Sequence, residues 1–107
     1  MNEALNEVLS LLTQECAEVI HAIAKANHFG LETVHKGKSN IENIQQEIAD
    51  VLTLIVALTC RHPEFLNEQI LEFGIRHKVE RLNKYTKYLQ DFSVGEILPA
   101  EDEDSGC

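Results

Sequence analysis

Two pairs of acids stand at a spacing that carries chemistry on a helix. Glu15 and Glu18 lie in "LLTQECAEVIHA", and Glu47 and Asp50 lie in "QEIAD", each pair three residues apart. On a helix such residues are neighbours, with Cβ atoms about 5–6 Å from each other, so both carboxylates can reach one ion. Stepping about 100° per residue sets Glu15 between Val8 and Leu11 on the apolar side, and Glu18 at its margin beside Ala22. The same construction sets Glu47 between Leu54 and Leu58, with Asp50 at the edge. Both pairs are therefore predicted to face inward. Burying an unpaired carboxylate costs on the order of several kcal/mol, and the two segments offer only Lys25 and the terminal Arg61 as permanent cations. Either protons stay on the cluster or cations neutralise it. A donor set of oxygens alone, with no cysteine or paired histidine, selects hard ions, Mg²⁺ or Mn²⁺.

The elements that must hold these acids are helices. Leu5, Leu9, Leu12, Cys16, Val19 and Ile23 recur at steps of four and three, which predicts a first helix over residues 3–28 ended by Gly30. The stretch "GLETVHKGKSN" reads as a loop, long enough to serve a function; its His35, Lys36 and Lys38 stand where they could close over a phosphate, against the plainer reading of a solvated loop. Ser39 followed by Glu42 forms a capping box, and the apolar period from Ile41 to Leu58 predicts a second helix over about 40–61. Its part "VLTLIVALTC" is apolar nearly all round, as in a helix covered on every side. Pro63 opens a third helical stretch, which Gly74 is expected to break, leaving a longer piece over about 75–90. That piece carries Arg76, Lys78, Arg81, Lys84 and Lys87 and is the one strongly basic element. The fold class is all-α, a bundle of antiparallel helices that forms oligomers, with a domain over 1–92 and an acidic tail over 93–107 expected to be disordered.

Composition sets further bounds. With 18 acidic against 9 basic side chains the formal charge is −9, which argues against general affinity for nucleic acid or an anionic membrane. No apolar run reaches the roughly 20 residues of a membrane span, and the acidic start is unlike a signal peptide, so a cytoplasmic location is expected. Cys16, Cys60 and Cys107 form no close pair and lack metal-type spacing, so neither disulfides nor structural zinc are expected; the first two read as buried thiols and the third as one in a loose tail.

With these residues in place, "QECAEVIHAIAK" followed by "QEIADVLTLI" resembles the all-α nucleoside triphosphate pyrophosphohydrolases of the MazG-like group, in their short phage and bacterial form. That group's pattern is E-E-x-x-E, a spacer of about 12–28 residues, then E-x-x-D; here 28 residues separate Glu18 from Glu47. The likeness extends over about residues 5–89, including "HFG" and "NKYTKYL". It implies a helical bundle in which Glu15, Glu18, Glu47 and Asp50 bind Mg²⁺, with Mn²⁺ able to substitute, and in which a nucleoside triphosphate is cleaved to monophosphate and pyrophosphate. The first Glu of the pattern is Gln14 here, on the polar arc. Lys78 and Arg81 correspond to basic positions near the phosphates, and Lys84 extends their face. Lys25, Asn27 and Phe29 are placed to line a nucleoside pocket, with Phe29 as a stacking candidate.

Two other readings compete. Glu18 and His21 form the E-x-x-H of di-iron carboxylate bundles, but the second helix has no histidine in register, and His21 falls on the polar arc. A non-catalytic helical module would use the apolar second helix to hold a protein partner. For assembly, that all-round apolar helix predicts a homodimer or a dimer of dimers, with sites near the subunit contacts.

Overall fold

The computed structural model describes residues 2–65 and 67–98, and they fold as an all-α protein with one small hairpin. Three helices run over Glu3–Phe29 (α1), Asn40–Arg61 (α2) and Glu68–Tyr85 (α3), with a two-stranded ribbon of Val34–His35 (β1) and Lys38–Ser39 (β2) between the first two. Two compact units divide between His62 and Pro63. Among the described residues no helix is long and apolar enough to cross a membrane.

Each boundary of the first unit has a local cause. Asn2 caps α1, its side chain accepting from the Leu5 N–H at 2.7 Å. Gly30 ends the helix with φ 103°, a backbone that favours glycine, while its N–H still reaches the Ala26 carbonyl. Between the strands Lys36 and Gly37 both have positive φ, 52° and 82°, which a two-residue turn of the tightest hairpin type demands. The capping box opens α2: the Glu42 N–H donates to Ser39 Oγ at 3.2 Å, and the Glu42 carboxylate accepts from the Ser39 N–H.

α1 and α2 pack along each other in opposite directions. The turn after α1 joins one pair of ends, and Ala4, Val8 and Leu11 share a groove of about 560 Å³ with Leu54, Ala57 and Arg61 near the other. Ala22 and Ala26 of α1 and Leu58 of α2 are the buried apolar side chains of this unit among the described residues. Much apolar surface is left open: Ile20 is 70% exposed, Leu52 57% and Val56 55%.

In the second unit, Asn67 caps α3 by accepting from Gln69 and Ile70, and Val79 is buried. Asn83 Nδ2 donates to the Val79 and Phe92 carbonyls, tying the following segment to the helix. A 3-10 turn over Val94–Glu96 follows.

Four expectations change. α3 runs unbroken through Gly74, where an added Cβ would meet open space, because the cap at Asn67 starts the helix early enough to carry it past one glycine. It also ends at Tyr85 rather than near 90, where Thr86 turns extended. The loop contains an ordered hairpin. Cys16 is an exposed free thiol, because α2 covers only part of the α1 stripe, and Cys60 is half-buried and disulfide-bonded rather than a buried thiol. Of the expected acidic tail, residues 93–98 are described and 99–107 lie outside the described residues.

Replacing Ser39 by alanine removes one half of the capping box. We predict a loss of about 1 kcal/mol, read as a melting temperature lower by roughly 4–8 °C in a circular-dichroism melt; an unchanged melt would show that the box contributes nothing.

Candidate functional site

The packing of α1 along α2 brings one acid of α1 against two of α2. One carboxylate oxygen each from Glu15, Glu47 and Asp50 lies within 4.8 Å of the others, and all three residues are half-buried. Of the two pairs expected to face inward, Glu15, Glu47 and Asp50 come together where the helices meet, and Glu18 departs from that expectation because it lies at the margin of the α1 apolar arc. Glu18, one turn further along α1, is exposed and stands outside this group of three. Its charge nevertheless acts on Glu47, so the four acids share one electrostatic neighbourhood.

Glu47 records the strain of the arrangement. Its carboxyl is held above the ordinary glutamate range, first by partial removal from water, then by the charges of Asp50, Glu15 and Glu18, and by hydrogen bonding to Glu15 that favours the protonated form. None of the three clustered carboxylates makes an ion pair with a lysine or arginine among the described residues. Half-buried oxygen donors from two helices, mutually repelling and without a cationic partner, are the donor set of a hard divalent ion. The residues present therefore fit such an ion.

The other sequence candidates fall into two places. Near the end of α1, Lys25 is half-buried and Asn27 exposed, while Phe29 is 59% exposed and meets His28 edge to face at 4.4 Å between ring centres. An exposed phenyl ring of this kind is open to stacking. Beyond it, Lys38 of the hairpin donates its ammonium to Gln46 Oε1, one residue before Glu47. Gln14 is exposed, as its place on the polar arc predicted.

Lys78, Arg81 and Lys84 belong to α3 in the second unit and are all exposed. Lys84 Nζ lies 5.2 Å from the centre of the Tyr85 ring, and His77, Arg81, Lys84 and Tyr85 line a shallow hollow with Glu80. Arg76 is instead engaged by Glu72 at 3.0 Å. The residue that sequence reasoning passed over is Asn40, the deeply buried amide at the start of α2. Its only sequence signal was its position after the Ser39 cap.

The family model of the MazG nucleotide pyrophosphohydrolase domain matches residues 3–84, a span that takes in all three helices but for the last residue of α3. No curated protein and no solved structure matches the chain.

The raised Glu47 carboxyl has a consequence for stability. A folded-state value above the unfolded one means that the charged form opposes folding, a penalty absent at low pH and complete once pH exceeds the raised value. In chelator at pH 7, Glu47→Gln is predicted to melt higher than the parent, with the difference closing as pH falls below 4.5, the ordinary value. Equal melting temperatures at pH 7 would contradict the crowding of charge.

Proposed function

The chain belongs to the MazG nucleotide pyrophosphohydrolase domain family, and on that premise we propose that it hydrolyses a (deoxy)nucleoside triphosphate to the monophosphate and pyrophosphate. Mg²⁺, for which Mn²⁺ can substitute, is the metal of the proposal. The observation that carries it is the convergence of Glu15, Glu47 and Asp50 within 4.8 Å. Glu18 completes the proposed ligand set from the same neighbourhood. When bound there, divalent ions would offset the triphosphate charge and make a nearby water more acidic.

The chain's own residues supply the rest of the proposal. One acid of the cluster, Glu15 or Glu18, is assigned to orient or deprotonate the attacking water. Lys78, Arg81 and Lys84 are assigned to the leaving pyrophosphate, because exposed cations one turn apart suit a polyanion. Lys25, Asn27 and Phe29 are assigned to the nucleoside, the exposed Phe29 ring giving a face for the base. A cytoplasmic setting, where such substrates abound, completes the picture. A di-iron site is not favoured, because among the described residues no histidine joins the carboxylate group.

We also propose that the working form is a homodimer or a dimer of dimers. Support comes from Ile20, Leu52 and Val56, each more than half exposed on helices whose own contact buries so few side chains.

Two measurements follow. A panel of nucleoside triphosphates incubated with Mg²⁺ or Mn²⁺ is expected to yield monophosphate and pyrophosphate from at least one member, and Glu47→Ala to lower that rate about a hundredfold or more, beyond the cost of disturbing a mere supporting contact. No cleavage across a broad panel, or full activity in the variant, would defeat the proposal. Light scattering at micromolar concentration is expected to give at least twice the chain mass, and a one-chain mass would exclude the assembly.

A further inference from the structure

Asn40 is the first residue of α2 and, at 2% exposure, the most deeply buried polar side chain among the described residues. Its amide does not serve its own helix, because Ser39 already caps α2. Instead Asn40 Nδ2 donates across the joint to the Gly30 carbonyl at 2.7 Å, just beyond the end of α1. Two backbone bonds run beside it, from the Asn40 N–H to the Thr33 carbonyl and from the Ile41 N–H to the Leu31 carbonyl, each 3.0 Å. The joint thereby takes up N–H groups of the first turn of α2 that a helix leaves without internal partners.

An amide at this place is costly. Asparagine is a poor helix former, and Asn40 Oδ1 is buried without a hydrogen-bond partner among the described residues. A small apolar residue would fill the space without that penalty, so the Nδ2 bond to Gly30 is the feature that sets asparagine apart. That bond acts on the site through leverage. Glu47 and Asp50 lie seven and ten residues along α2 from Asn40, about 10 and 15 Å at a rise of about 1.5 Å per residue. A tilt of about 5° about the joint would move Asp50 by roughly 1.3 Å at that radius, enough to open a group whose oxygens lie within 4.8 Å. The repulsion among the carboxylates pushes the helices in that same direction.

We propose that Asn40 is a positioning residue for the carboxylate site: its side chain fastens the start of α2 to the end of α1 and holds Glu47 and Asp50 against Glu15. The inference rests on the reading of that group as a divalent-cation site.

The test is the binding of Mn²⁺ alone, without nucleotide, followed by the electron paramagnetic resonance signal of the free ion, in the full chain and in Asn40→Ala, Asn40→Leu and Ser39→Ala. Asn40→Leu is close to asparagine in shape, fills the same buried space and adds no charge, so it carries the test should Asn40→Ala fail to fold. The expected result is a Mn²⁺ affinity about tenfold to a hundredfold weaker in the folded Asn40 variants, the range for lost supporting contacts. Ser39→Ala weakens the same helix start without touching Gly30, and is expected to stay within about twofold of the parent. Parent-like affinity in the Asn40 variants would overturn the inference while leaving the cation site standing. Equal losses in Ser39→Ala, or failure of both Asn40 variants to fold, would overturn it by making Asn40 a residue of general stability. A parent chain that binds no Mn²⁺ would remove the cation site itself, and the inference with it.

Discussion

Negative charges pressed together where two helices meet set the terms for everything else in this protein. At an effective dielectric of about 20, a pair of unit charges some 4.8 Å apart repels by roughly 3 kcal/mol before screening by salt. Three half-buried carboxylates make three such pairs, and Glu18 adds to the load on Glu47. The same crowding that opposes folding makes the position attractive to a divalent cation, whose attraction to every carboxylate offsets their mutual repulsion. Structure and chemistry thus share one cause. Glu47, whose proton is held more tightly than in an ordinary glutamate, is the residue in which both are visible.

What resists the repulsion is modest. Ala22, Ala26 and Leu58 are the buried apolar side chains of the first unit among the described residues, and two alanines and a leucine bury little area at about 25 cal/mol per Å². The joint between α1 and α2 is correspondingly elaborate, with a tight hairpin, a complete capping box and the Asn40 bond in one short stretch. Exposed Ile20, Leu52 and Val56 leave apolar area for further copies of the chain to cover. Covering it would stiffen the helices that carry the acids, which links the proposed assembly to the proposed site.

The legible parts of the sequence were those with strong local causes. Gly30, Ser39 and Glu42 marked the facing ends of α1 and α2 within a residue, because caps act over one turn. The projection of Glu15 and Glu47 onto the apolar arcs worked because a regular helix keeps its 100° step over several turns. Gly74 misled because a glycine's cost of about 1 kcal/mol is small against a helix capped at Asn67 and anchored by Val79. The hairpin escaped notice because one of its two positive-φ residues is Lys36, a type that seldom signals such a turn. Cys16 reads as core by its period yet is exposed, since periodicity tells which residues share a face and not what covers that face. Asn40 was hidden for a related reason: its partner is a backbone carbonyl ten residues away, beyond any local pattern.

The most direct measurement of the central claim, that the inward acids form a cation site, is the titration of the Glu47 carboxyl by ¹³C nuclear magnetic resonance with and without Mg²⁺. Without the ion, its midpoint is expected above the ordinary glutamate value of 4.5; with Mg²⁺ present it should fall, because the ion favours the charged carboxylate. A midpoint unmoved by Mg²⁺ would contradict the claim.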